Sequence, residues 1–180
     1  MSVRSNTTTK VYLPTMFVRP VVVSMQDMGG DISEVLRETT TGDIEGKCIV
    51  QGFVRPGSVK IQSYSAGILE ANNIVYQVTV ECDVCSPVED EIIECVAKNI
   101  TKAGVRAEVD TDPTPMMIFL ARDHHHTSTS FSNINPGDRI RVKVIGQRFE
   151  LNDPYVSVIA SLVEEKEKRK PRIEIGEQLS

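Results

Sequence analysis

The chain has 180 residues, 40% of them apolar and 25% charged, and its formal net charge is −5. This balance fits a packed globular protein and excludes a chain that is disordered throughout. The acidic total also excludes nucleic-acid binding by bulk electrostatics, so any such contact must rest on a local basic patch.

Residues 1–10 are polar and Thr-rich and read as a flexible arm. The start MSVRSNTTTK lacks the apolar core of a secretory signal, and no apolar run approaches the roughly 18 residues of a membrane span. A soluble intracellular protein is expected, in which the sequons at Asn6 and Asn99 carry no glycan.

The stretch VYLPTMFVRPVVVSM (11–25) is β-branched and apolar but holds Pro14 and Pro20, which suits an edge strand. GGDISEVLRETTTG (29–42) reads as a short helix. Asp31 is its N-cap, Glu34 stands three residues on as in a capping box, Ile32, Val35 and Leu36 form the apolar stripe, and Gly42 ends it. Three strands follow: GKCIVQGFV (46–54), SVKIQSYS (58–65) and IVYQVTVECDV (74–84). A turn at Arg55-Pro56-Gly57 joins the first two, and a loop from Gly67 to Asn73, turning at Asn72-Asn73, joins the others. Strand, helix and three strands make an α+β unit with the helix over one sheet face.

Ser86-Pro87 breaks the long strand, and five β segments follow at 90–100, 104–110, 116–123, 138–149 and 155–163. Five short strands with turn-rich links favour a closed barrel, because closure removes exposed edges. In PGDRIRVKVIGQRF (136–149), Arg139, Arg141 and Lys143 alternate with Ile140, Val142 and Val144. A strand there carries a basic stripe on one face and an apolar stripe on the other. The tail 164–180 balances five basic against five acidic residues and reads as a solvated extension or a partner-docking arm.

Chemistry is sparse. Cys82 and Cys85 have the spacing of half a zinc knuckle, but no second pair follows, and His124, His125 and His126 form an unspaced run. Period two instead puts Cys82 on one strand face with Ile74, Tyr76, Val78, Val80 and Val84, as a small core residue. No metal, cofactor or disulfide is expected. The glycine-rich phosphate loop, the nucleophile elbow and the H-E-x-x-H helix are all missing, and DTDPTP (110–115) reads as a turn. No catalytic residue is expected.

AGVRAEV, then MMIFLARDHH, then GDRIRVKVIGQRF and YVSVIASL resemble the S1-type OB barrel, whose fourth strand reads G-D-x-[IV]-x-V-x-V. The context narrows this. Pro87 just before an E-x-x-x-x-V/I strand, Gly104 opening the next strand, and Gly46-Lys47-Cys48 after the helix are similar to the stalk subunit of multisubunit DNA-directed RNA polymerases. That family contains the seventh subunit of RNA polymerase II and its archaeal counterpart, and the likeness covers about 11–163. The chain looks most like the shorter versions carried by large DNA viruses.

The resemblance implies a tip domain at 11–86 that docks on the polymerase core and an S1/OB barrel at 87–163. It also implies a subunit without an active site of its own, held near the RNA exit of the transcription enzyme. The implied partners are the large polymerase subunits, nascent RNA held weakly, and a second stalk subunit, with a viral version found in the virion and host cytoplasm. Candidate RNA contacts are Arg106, Arg122, His124, Arg139, Arg141 and Lys143, and candidate docking residues are Phe53, Arg55, Pro56 and Gly57, with Phe53 projecting toward the partner. A solvated strand face accounts for the same basic residues. S1 barrels that bind RNA strongly carry aromatics on strands two and three. Here Val105 and Ala107 stand on strand two, leaving Phe119 and the histidine run as the nearby rings, so weak, salt-sensitive RNA binding is expected. The alternative is a free-standing S1-type RNA-binding protein of translation or RNA decay, with the first half as a dimerisation domain.

Overall fold

The computed structural model describes residues 10–164, so the arm before Lys10 and the tail after Glu164 lie outside the described residues. Strand β1 (Leu13–Ser24) is followed by a 3-10 turn at Met25–Asp27 and by helix α1 (Ile32–Ile44). Asp31 caps the helix as expected, its carboxylate accepting from the Ser33 N–H at 3.0 Å. Glu34 turns to Arg37 at 3.4 Å on the helix surface. The helix passes through Gly42, the expected stop, and ends at the buried Ile44. Burying Ile44 offsets the cost of roughly 1 kcal/mol for a glycine in a helix.

The 46–54 stretch, expected as one strand, is two: β2 (Cys48–Ile49) and β3 (Gly52–Val54), folded on each other as a hairpin. Gly52 makes the bend possible. Its φ is +133°, and a Cβ there would stand 2.4 Å from the Cys85 carbonyl oxygen. β4 (Lys60–Tyr64) follows, then β5 (Ile68–Glu70), a strand within the stretch expected as a loop, then β6 (Asn73–Cys85). Ala71, at φ 53°, takes the left-handed position one residue before the expected Asn72-Asn73 turn.

β6 is the spine of this sheet. It pairs with β1 along its whole length on one side and with β5, β4 and β3 in succession on the other. Among the described residues β1 pairs with β6 alone, which is the edge position that Pro14 and Pro20 tolerate. Leu36 and Ile44 of α1 pack with Val21, Val23, Val78 and Val80 on one sheet face. The expected helix-covered sheet is therefore present, with six strands where four were expected.

β7 (Ile92–Ile100), β8 (Gly104–Glu108), β9 (Met116–Ala121), β10 (Arg139–Arg148) and β11 (Val156–Leu162) each fall inside a stretch marked by the sequence. They form a closed barrel in the order β7-β8-β9-β11-β10, with β10 returning to β7. The β9–β11 pairing is parallel and the others are antiparallel. A five-stranded barrel with such connections is OB-like. β8 opens at Gly104 because a Cβ there would lie 2.1 Å from the Leu120 carbonyl oxygen. A 3-10 turn at Arg122–His124 and the single-turn helix α2 (Thr129–Ser132) fill the link between β9 and β10.

The barrel core continues into the sheet. Phe53 faces Cys48 across the β2–β3 pairing and Cys85 across the β3–β6 pairing, and all three are buried in one cluster with the barrel interior. The main chain joins there as well: Cys48 N–H donates to the Asp153 carbonyl at 2.8 Å, and Asn152 N–H donates to the Cys48 carbonyl at 2.8 Å. Phe53→Ala should cost about 3–5 kcal/mol. Urea unfolding followed by hydrogen exchange in both halves should show one shared transition at a lower midpoint, and two separated transitions in the unmodified chain would show that the joint does not couple them.

Candidate functional site

Beside this joint, the sheet and barrel enclose a cleft of about 1340 Å3. Its sheet wall includes Tyr12, Pro14, Arg55 and Pro56, and its barrel wall includes Ile92, Glu94, Arg139 and Arg141, with the 109–113 loop at one end. Arg55 and Pro56 of the 55–57 turn and Arg139 and Arg141 of the basic stripe, far apart in the sequence, thus line the same cleft.

The cleft is electrically balanced. Lys10, Arg55, Arg139 and Arg141 line it together with Asp83, Glu94, Asp110 and Asp112, four cations to four carboxylates. Arg55 lies over the Tyr12 ring at 5.4 Å and 3.6 Å from Asp83. Burial, aided by nearby thiol and carboxylate groups against the opposing Arg55, pushes the Tyr12 phenol up to about 12. Arg139 reaches Asp110 at 2.9 Å and Glu94 at 3.6 Å, and Arg141 stands opposite Glu94 in the β7–β10 register. Lys143 meets Asp90 at 2.8 Å. The carboxylates that Arg139 and Lys143 meet are exposed. Exposed pairs of this kind contribute about 0–1 kcal/mol each, so they exchange readily for other partners.

Phe53 corrects one expectation. Only 1% of it is exposed, because strand alternation turns its ring into the shared core instead of outward. Arg55, Pro56 and Gly57 remain exposed at the turn.

Val105 and Ala107 correct another. Both point into the barrel, at 1% and 0% exposure, so neither occupies a position where a ring would meet a ligand. The outward position on β8 belongs to Arg106, directly opposite Phe119 on β9. Phe119 is 37% exposed and pairs in the parallel register with Ile159 of β11, which is 49% exposed. Arg106 is also 3.6 Å from Glu108 and sets its Nε 2.6 Å from the Met117 sulfur. Arg122 donates to the Lys102 and Thr101 carbonyls at 2.9 and 3.2 Å and lies over the Phe131 ring at 5.6 Å, so it staples the β7–β8 link. His124 is exposed on the neighbouring 3-10 turn.

The six candidate RNA contacts thus divide between two barrel walls. Arg106, Arg122 and His124 belong to the β8–β9 side, whereas Arg139, Arg141 and Lys143 lie on β10, whose neighbours are β7 and β11. The histidine run also divides. His125 is 7% exposed, stacks on Phe131 with ring centroids 4.5 Å apart, and accepts the Leu162 N–H on Nε2 at 2.8 Å. Its Nδ1 lies 2.8 Å from the Ala121 carbonyl, so Nδ1 carries the proton and donates it. In the sequence the three histidines form one polar triplet, and nothing there separates His125 from its neighbours.

All four cysteines are buried free thiols. Burial is the first cause that pushes Cys48 and Cys82 up to about 11 and Cys85 and Cys95 up to about 12. Among the described residues no group of three or more His, Cys, Asp or Glu is arranged to hold a metal. The described helices include none long and apolar enough to cross a membrane. In the folded protein the thiols stay protonated at neutral pH and should react with a disulfide reagent only on unfolding. The native thiols hold their protons more tightly than unfolded ones, so stability should fall as pH rises above about 9, where the unfolded chain releases them. Urea midpoints measured from pH 8 to 11 check this. A midpoint that stays level would refute it.

No family model matches the chain. Over 170 residues the chain is 26% identical to a protein of Acanthamoeba polyphaga mimivirus that is provisionally named a DNA-directed RNA polymerase subunit, covering 86% of this chain and 83% of the relative.

Proposed function

We propose that the chain is a non-catalytic stalk subunit of a DNA-directed RNA polymerase, of the kind large DNA viruses carry. The observation that carries this reading is the order of its parts: a helix-covered sheet followed by an OB-like barrel, in a chain similar along most of its length to the mimivirus polymerase subunit. In this reading 11–86 is the tip domain and docks on the polymerase core through the exposed Arg55-Pro56-Gly57 turn. The barrel then meets nascent RNA near its exit.

The RNA-facing wall in this reading is β8–β9. Phe119 supplies one exposed ring for a base to stack on, and Arg106 faces it across the register. One stacked base contributes about 1–3 kcal/mol, and the acidic whole adds little long-range attraction, so the contact is weak unless the polymerase already holds the transcript. Arg139, Arg141 and Lys143 become secondary contacts, since a phosphate must compete there with carboxylates.

Affinity purification of the tagged chain should recover the large polymerase subunits. A lone protein that shifts single-stranded RNA at physiological salt would instead support the free-standing S1 reading and sink this one. Within the assembled polymerase, joint Arg106→Ser and Phe119→Ala changes should lower crosslinking to nascent RNA about fivefold or more, the equivalent of one lost stack. Changing Arg139, Arg141 and Lys143 to Ser should have the smaller effect, and the reverse ranking would show that RNA runs along β10 instead of the β8–β9 wall.

A further inference from the structure

We propose that the outer edge of β1 pairs with the same edge of a second copy of the chain, antiparallel about a two-fold axis at Val18. The main chain of β1 has a fixed phase. Met25 N–H, in the same register just beyond the strand, donates to the Asn72 carbonyl at 3.2 Å, so odd-numbered residues turn their polar groups toward β6. Pro14 and Pro20 stand opposite Asp83 and Gln77, whose main-chain groups are taken on the far side of β6. Asp83 N–H donates to the Ser58 hydroxyl at 3.1 Å and its carbonyl accepts from Arg55 at 2.9 Å, while Gln77 N–H donates to the Ser65 hydroxyl at 3.0 Å and its carbonyl accepts the Ser65 N–H at 2.9 Å. Even-numbered residues of β1 therefore face outward, where a proline's missing N–H costs the sheet nothing. Among the described residues no strand pairs with that side.

The same even-numbered residues leave apolar side chains open. Met16, Val18 and Val22 are 60%, 62% and 54% exposed, on the sheet face away from α1, and a long apolar edge of this kind invites another strand. The prolines select which strand. With the axis at Val18, the N–H and carbonyl of Val18 serve their counterparts in the other copy, Met16 N–H donates to the Pro20 carbonyl, and Val22 N–H donates to the Pro14 carbonyl. Every outward N–H from 14 to 22 then has an acceptor, and no proline faces a proline. An axis at Phe17 would set Pro14 against Pro20, one at Pro20 would set that residue against itself, and one at Arg19 would set cation directly against cation. About Val18, Arg19 instead meets the half-buried Phe17 and keeps Asp43 at 3.3 Å. The side chains that meet on the open face are then all apolar. The overlap is about 30 Å long at roughly 3.4 Å per residue, which is small for a specific interface, so the dimer is weak, with Kd on the order of 10 μM. Self-pairing closes the edge to other extended chains while the protein is free. The inference does not depend on the polymerase reading, because it concerns the isolated chain.

Sedimentation equilibrium of the full chain, from about tenfold below to about tenfold above that Kd, tests it together with amide hydrogen exchange. A monomer–dimer equilibrium is expected, with the Met16, Val18 and Val22 amides exchanging more slowly as concentration rises. Val18→Pro removes an outward N–H at a position equivalent to the native prolines, so the sheet should keep its fold while the dimer weakens about tenfold or more, two bonds across the axis being lost at once. Val18→Lys, an exposed change that sets two cations against each other, should do the same without altering the backbone. A chain that stays monomeric throughout overturns the proposal and leaves the edge to a different partner. A dimer that survives both variants, or forms without protecting those three amides, overturns it in favour of another face.

Discussion

Phe53 sits where two sheets would otherwise end separately. Cys48 and Cys85 flank it on neighbouring strands, the barrel interior closes over it, and the Cys48 main chain pairs with the 150–154 loop beside it. A buried aromatic ring is among the larger single sources of hydrophobic stabilisation, and here it is shared by both halves of the chain. The position of the turn at 55–57 follows from this, because that turn leaves β3 directly after the anchored ring. The cleft follows too, as the space left between sheet and barrel beside that joint.

The same geometry changes how the charges are to be understood. Along the sequence, Arg139, Arg141 and Lys143 look like a free basic stripe. In the barrel, β7 lies beside β10 and brings Glu94 opposite Arg141, while Asp110 and Asp90 approach from loop positions. The stripe is thus locally neutralised, while the β8–β9 wall carries the half-exposed Phe119 ring opposite Arg106.

Much of the fold was legible because it rests on period-two alternation. The β6 face of Ile74, Tyr76, Val78, Val80, Cys82 and Val84 lies against the helix-covered core as its spacing required, and all five barrel strands sit where alternation and turn residues put them. Asp31 was legible because capping is a local interaction. What stayed hidden is what depends on distant chain. The three residues of β5 are too few to show a period, and Gly52 bends its strand because of a carbonyl 33 positions away. Phe53 reads as surface or core equally well until the barrel arrives to bury it. The two-walled division of the basic residues is a property of closure, which no single strand encodes.

The placement of β11 between β9 and β10 also bears on how the chain is made. Until Val156–Leu162 emerge from the ribosome, β9 and β10 each present an unpaired edge, and the loop that pairs with Cys48 has only just appeared. The helix-covered sheet has all its strands by Cys85 and can form early, yet the side that carries Phe53 waits uncovered for most of the barrel's synthesis. Apolar surface and open strand edges coexist during that interval, which is the condition under which nascent chains associate wrongly. Expression yield should therefore be governed less by the stability of the finished molecule than by how quickly β11 is delivered.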